Sequence, residues 1–303
     1  MENIVIFGSS GFLGANLLDY FALTDKTYGI HGMSSGVLNL KSNKRSTNLD
    51  LEFNYSNLAK LIEKLNPSVM INSSGLIGDA LCERFPELAR NANSEIPKAL
   101  AELSDKFGFY LIHFSTDAVF NDNQLERHEG IEPKPDLIYG RSKLEGEMAC
   151  LAKNRRTLVV RTNFVGINHE RRRSSGLFCH FATGLSQGLK VQGYADVFFN
   201  PVVMNPLMTI IKHVMERRLS GILHVAGLDQ LSKYEFAILV AKYLEVRSNL
   251  VERVDGPTDQ IIRLRRVMTL DNSKMLALGL HPGNLEEGIR ELCENFLTEQ
   301  QTF

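Results

Sequence analysis

Cysteine is scarce in this chain, four residues in 303, and scattered. Cys82, Cys150, Cys179 and Cys293 form no CxxC pair, and no histidine stands near them at metal-ligand spacing. That excludes a disulfide framework and argues for free thiols, no structural metal and a reducing compartment. Cys150 and Cys293 fall on apolar helix faces, where a buried inert thiol is expected. An excess of one charge is also lacking: the formal net charge is −1. The basic runs Arg155–Arg156 and Arg171–Arg173 are too short to serve as a binding arm, so neither nucleic acid nor an anionic membrane is expected as a partner. No apolar run reaches transmembrane length, and the first, Ile4–Phe7, enters glycines rather than extending into a signal-peptide core. A cytoplasmic protein is expected. Low-complexity tracts are missing too.

What is present is an ordinary globular composition, 44% hydrophobic and 23% charged residues. It supplies a core for one large α/β domain or for a sheet domain with a smaller lobe. Ile4–Phe7 reads as a strand buried on both faces, and Phe12, Leu13, Leu17, Leu18 and Phe21 follow it at helical spacing. The alternation recurs with a weak strand at Lys26–Gly32, a helix face at Leu58, Leu61, Ile62 and Leu65, and a strand at Val69–Asn72 entered from Pro67. A helix over Glu87–Asp105, with Pro97 inside it, leads to a strand at Phe109–Ser115. A helix at Gly140–Lys153, a strand at Thr157–Val165, a helix at Pro206–Arg217 and a strand at 221–227 complete the pattern. Repeated strand–helix units predict an α/β fold with a doubly wound parallel sheet, Rossmann-like. Ser232 to Glu235 is a capping-box pattern ahead of the apolar face Phe236, Leu239, Val240 and Tyr243. From this change of rhythm a dinucleotide-binding domain is expected over 1–166, completed by 200–228. A smaller, mainly helical substrate lobe over 167–199 and 229–303 is expected to pack over the carboxyl edge of the sheet, interleaved in sequence.

Between the first strand and helix stand Gly8, Gly11 and Gly14 at GxxGxxG spacing. Such glycines serve a tight turn, close approach of backbone to a pyrophosphate, and helix–strand packing, with the helix N-terminus holding the phosphates. Ser10, Phe12 and Leu13 fill the same turn and are expected along the cofactor. The end of the second strand, Gly29 to Ser35, carries no acid to hold a ribose 2′-hydroxyl, so NADPH is favoured, with NADH left open. Ser34 and the later Lys41, Lys44 and Arg45 are expected to receive the 2′-phosphate. Asp50 reads equally as a contact to the adenine rim and as a solvated turn acid.

Tyr139 and Lys143 stand four residues apart, so a phenol and an ammonium share one helix face. Ser115, Thr116 and Asp117 close a strand at the carboxyl edge of the expected sheet, where ligands bind in open α/β folds. In this arrangement Tyr139 donates a proton to a carbonyl oxygen, Thr116 hydrogen-bonds that oxygen, and Lys143 lowers the phenol pKa and contacts the nicotinamide ribose. His31, His113 and His224 lie in strand patterns and read as packed side chains.

At this point the chain resembles the extended short-chain dehydrogenase/reductase family, in its dTDP-4-dehydrorhamnose reductase-like branch. The likeness is carried by GSSGFLG, INSSG at 71–75, HFSTDAVF at 113–120, YGRSKLEGE at 139–147, VVRTNFV at 159–165, GILHVAG with SKYEFA, and LDNSK at 270–274. It implies Thr116, Tyr139 and Lys143 as the catalytic set, Gly8, Gly11 and Gly14 at the pyrophosphate, and Ser73, Ser74 and Gly75 along the cofactor. Asn163-Phe164-Val165-Gly166 replaces the aromatic pair that often follows RT in the family, and the loop at 196–201 is less polar, so the sugar is not fixed.

The resemblance implies an NADPH-dependent reductase of a nucleotide-activated 4-keto-6-deoxy sugar. Ser115, Asp117 and Asn163 are expected on the substrate. Arg171, Arg172 and Arg173 read either as a clamp on its diphosphate or as a solvated loop. Nucleotide-sugar dehydratases carry an acid after the Thr-Asp pair, where this chain has Ala118. An epimerase or dehydratase with retained cofactor, and a non-catalytic subunit like the regulatory subunit of methionine adenosyltransferase, are the alternatives. A homodimer stays open.

Overall fold

The four apolar residues Ile4–Phe7 are all but inaccessible, as expected of a strand covered on both faces. They end β1 (Glu2–Phe7), the centre of a sheet in the computed structural model, which describes residues 2–34, 49–50, 55–153, 155–167, 176–256 and 265–301. After the glycine turn comes α1 (Phe12–Thr24), whose Leu17, Leu18 and Phe21 are buried. Then follow β2 (Tyr28–Ser34), β3 (Leu49–Asp50), α2 (Tyr55–Leu65) and β4 (Pro67–Asn72). The second strand starts and ends two residues later than Lys26–Gly32, since Lys26 and Thr27 belong to a turn in which Asp25 accepts from the Thr27 N–H and hydroxyl.

A short α3 (Asp79–Arg84) comes first, and the helix expected over Glu87–Asp105 then runs without a gap from 86 to 107, as α4 (Pro86–Arg90), a π-helical turn (Asn91–Glu95) and α5 (Ile96–Phe107). Pro97 sits in the first turn of α5, where its missing N–H costs least. β5 (Tyr110–Thr116), α6 (Ile138–Lys153), β6 (Thr157–Thr162) and β7 (Gly221–Val225) complete the sheet. Its strand order is β7-β6-β5-β4-β1-β2-β3, and β1 pairs in parallel with both β2 and β4. The order reverses between β1 and β4, the switch point of a doubly wound Rossmann-like sheet, outside which ligands bind.

The chain divides into two compact units. The first comprises 1–119, 133–161 and 211–223; the second comprises 120–132, 162–210 and 224–303. The first has a core of sheet and helix residues that includes Val5, Met33, Met70, Leu100, Leu111 and Cys150.

The second unit is built around aromatic residues. Phe178 meets Phe296, and Phe236 meets both Phe181 and Phe199, within a cluster that also holds Val240, Ile289 and Cys293. The capping box forms as the sequence predicts: Ser232 Oγ accepts from the Glu235 N–H, and Glu235 accepts from the Ser232 N–H. Residues 120–132 belong here because Asp122 accepts from the N–H groups of Arg266 and Val267, and buried Arg127 donates to the Val267, Asn121 and Gln124 carbonyls. Short strand pairs, Val191–Tyr194 with Val251–Val254 among them, and a terminal helix of 17 residues, Leu285–Gln301, accompany the expected short helices.

Candidate active site

The glycine turn follows from its surroundings. Gly8 has φ +88°, a conformation side chains disfavour, and a Cβ there would stand 2.6 Å from the Ser74 nitrogen. A Cβ on Gly14 would overlap the Gly8 carbonyl. Gly11 differs, because its nearest neighbour would be the Gly8 oxygen at 3.2 Å, so protein packing alone does not demand glycine. Gly11 is also the N-cap of α1, makes no side-chain cap, and precedes a first turn free of acids. That leaves room and a favourable dipole for an anion. Ser10 and Phe12 are half-buried at this turn, whereas the Leu13 side chain is in the core, so only its backbone can face a ligand.

The end of β4 is fastened to the turn. The Ser73 N–H and hydroxyl both donate to the Phe7 carbonyl at 2.9 Å, and the Ser74 N–H and hydroxyl donate to Asn72 Oδ1. Asn72 Nδ2 then donates to Nδ1 of the fully buried His113 at 3.0 Å. Ser73 and Ser74 are half-buried and Gly75 is exposed. On the other side, the Gly8 and Ser9 N–H groups donate to the Met33 carbonyl, which brings the end of β2 beside the turn. Ser34, buried, closes that strand, and its register partner is Asp50. The structure describes only the backbone of Asp50.

The same sheet edge carries Ser115, Thr116 and Asp117, all buried. Thr116 Oγ1 accepts from the Ala118 N–H at 3.2 Å, and Ser115 Oγ has no hydrogen-bond partner. α6 is docked on this edge so closely that a Cβ on Gly140 would overlap the Ala118 carbonyl. That contact brings the half-buried Tyr139 to the end of β5, while Lys143, one turn on, donates from Nζ to the Phe114 carbonyl at 2.6 Å. Burial pushes the Lys143 pKa down to about 8, with Glu147 acting in the opposite direction. Burial, and then the Lys143 charge, hold His113 well below the ordinary histidine value.

Two supports of this edge have little sequence signal. Asn93, in the π-helical turn, accepts from the Leu76 N–H at 2.9 Å and donates to the Leu76 carbonyl and to Ser142 Oγ. Glu147 and Arg161 form a bidentate ion pair, 2.7 to 3.1 Å, with both side chains 1% exposed. An arginine inside the apolar strand TLVVRT is the one hint the sequence offers of the pair.

Asn163 lies in the second unit, where Nδ2 donates to the Met268 carbonyl at 2.6 Å and Oδ1 has no partner. Arg171, Arg172 and Arg173 lie outside the described residues. Cys82, Cys150, Cys179 and Cys293 are buried thiols outside any disulfide, and burial raises Cys150 and Cys293 to about 12. Among the described residues there is no cluster fit to hold a metal ion, and no helix is long and apolar enough to cross a membrane.

Comparison with known proteins gives the same fold. A probable low-salt glycan biosynthesis reductase of Haloferax volcanii is 29% identical over 240 residues, covering 78% of this chain and 80% of that protein. The methionine adenosyltransferase 2 subunit beta of Bos taurus is 25% identical over 99% of this chain and 90% of its own. The crystal structure of dTDP-4-dehydrorhamnose reductase from Bacillus anthracis, in complex with NADP, superposes with a TM-score of 0.81 at 22% identity, covering 96% of this chain and 98% of that one. The family model described as the RmlD substrate binding domain matches residues 1–297, and the chain belongs to that family, the dTDP-4-dehydrorhamnose reductase-like branch of the extended short-chain dehydrogenases/reductases.

Proposed function

We propose that this protein is an NADPH-dependent reductase of a nucleotide-activated 4-keto-6-deoxy sugar, with Tyr139 as the acid. The observation that carries the reading is Lys143, a buried ammonium fixed on the Phe114 carbonyl one helical turn from Tyr139, at the strand end that holds Thr116. With a pKa of about 8 it is cationic at neutral pH, and a cation beside a phenol eases loss of the phenolic proton. The named reductase relative and the NADP bound by the B. anthracis protein support the same class of chemistry. Ala118, where dehydratases carry an acid, favours simple carbonyl reduction.

When bound, the reduced nicotinamide supplies the hydride that the keto carbon gains. The residues of this chain hold and protonate. Backbone around Gly11, Phe12 and Leu13 at the start of α1 would receive the pyrophosphate, Ser34 the region of the 2′-phosphate, and Ser73, Ser74 and Gly75 the cofactor beyond the turn. Ser115 and Thr116 offer hydroxyls to the carbonyl oxygen, Tyr139 gives that oxygen its proton, and solvent restores the phenol. Asp117, Asn163 and the Arg171–Arg173 run are assigned to the sugar nucleotide, the arginines to its diphosphate.

NADPH oxidation measured against a panel of nucleotide-activated keto sugars tests the reading. Turnover with a 4-keto-6-deoxy sugar, and poor turnover with the free sugar, are expected. A second reading rests on the end-to-end similarity to methionine adenosyltransferase 2 subunit beta. Absence of turnover on every sugar, with co-purification of a larger enzyme, would favour that one.

A further inference from the structure

We infer that Glu147, held by Arg161, is a positioning residue for Lys143: its carboxylate keeps that ammonium charged and docked on the Phe114 carbonyl. The inference rests on the role proposed above for Lys143. Glu147 stands one helical turn beyond Lys143 on α6, and such i,i+4 neighbours lie about 5–6 Å apart at their Cβ atoms. Both are buried, Lys143 to 5% and Glu147 to 1% exposure. Arg161, on β6 next to β5 in the sheet, grips both carboxylate oxygens. The carboxylate is therefore fixed in place by a two-point, charge-assisted contact.

An ammonium in an apolar setting loses its proton unless a negative charge is near. The groups that act on Lys143 or stand near it are Glu147 and the Cys150 thiol on α6, His113 on β5 and the neutral Asn93 on the π-helical turn, with Tyr139 one turn back on α6 and Arg161 of β6 bonded to Glu147. His113 is neutral, and Cys150, a thiol pushed up to about 12, acts on Lys143 less than Glu147 does. Glu147 is the carboxylate that acts on Lys143. If tethering α6 to β6 were the whole purpose, two apolar side chains would do as well or better. A buried carboxylate beside a buried lysine does what an apolar pair cannot.

The test is the proton affinity of Lys143, followed by NMR on protein labelled at lysine Cε and assigned with Lys143→Arg. Glu147→Gln should lower that affinity by about tenfold or more. Because that variant leaves Arg161 buried and unpaired, the double variant Glu147→Gln/Arg161→Met is titrated too. It should keep most of the lowered affinity, since Glu147, and not Arg161, is among the groups that act on Lys143. Glu147→Asp should restore part of it. An unchanged Lys143 titration in the folded double variant would overturn the inference and leave the pair a mechanical tether. NADPH turnover in the same samples should lose its alkaline limb at a lower pH. If wild type reduces no keto sugar, the proposed function fails while the titration still decides the role of Glu147.

Discussion

In the first unit, buried groups that can change charge or are charged, namely His113, Lys143, Glu147 and Arg161, lie near one another on β5, β6 and α6. In the second, the cluster is aromatic and aliphatic, the buried His224 packs edge-on with Phe120, and the buried Asn200 and Arg127 are turned to backbone. Asn200 brackets Leu270 through its N–H and carbonyl, and Arg127 donates to three carbonyls. The contrast separates two uses of burial. Backbone-directed bonds hold loops in one arrangement whatever the pH, whereas neighbouring titratable groups give a site whose state depends on protons.

That comparison breaks if the second unit also tunes the chemistry. Phe236→Ala should cost about 3–5 kcal/mol, because a buried ring packed on Phe181 and Phe199 leaves a cavity. In urea unfolding the midpoint should fall, while the pH profile of the surviving folded enzyme keeps its shape. A shifted profile would show that the units do not divide the work in this way. Within the first unit, Gly14→Ala should cost about 1–3 kcal/mol by forcing the turn apart. Gly11→Ala should leave stability almost unchanged and weaken NADPH binding, a split that fluorescence titration beside thermal unfolding can read.

A smaller and pH-dependent effect sharpens the contrast. His113 stays neutral when folded because burial lowers its pKa, but the unfolded chain takes up that proton below about 6.5. The unfolded state then binds more protons, so stability should fall with pH below 6.5 by about 1.4 kcal/mol per unit. His113→Gln should flatten that slope in urea titrations at pH 5 and 7. An identical slope in the variant would assign the acid sensitivity to other groups.

How much was legible in the sequence follows from which residues geometry compels. The first strand, the glycine turn and the helix after it could be read because Gly8 and Gly14 sit where a side chain cannot, and because apolar periodicity marks a strand covered on both faces. The capping box was readable for the same local reason. The helix over Glu87–Asp105 was readable too, but the π-helical turn within it was not, since that turn is held with long-range help: Asn93 bonds to Leu76 and Ser142, distant in sequence. Glu147 and Arg161 could be quoted within their motifs, but their pairing requires knowing that α6 lies over β6. Residues 120–132 read as a continuation of the sheet domain, and only Asp122 and Arg127, bonding across more than a hundred residues, assign them elsewhere. The arginine run at 171–173 lies outside the described residues and stays a sequence argument.

The claim at the centre of this account is that the end of β5 and the start of α6 form a hydride-transfer site with Tyr139 as its acid. Tyr139→Phe removes one hydroxyl from a half-buried side chain, so fold and NADPH affinity should survive. Steady-state NADPH oxidation with the best nucleotide-activated keto sugar is the direct measurement. The account predicts that kcat falls by about 10² to 10⁴ while the NADPH dissociation constant stays within error. Turnover equal to wild type would contradict it.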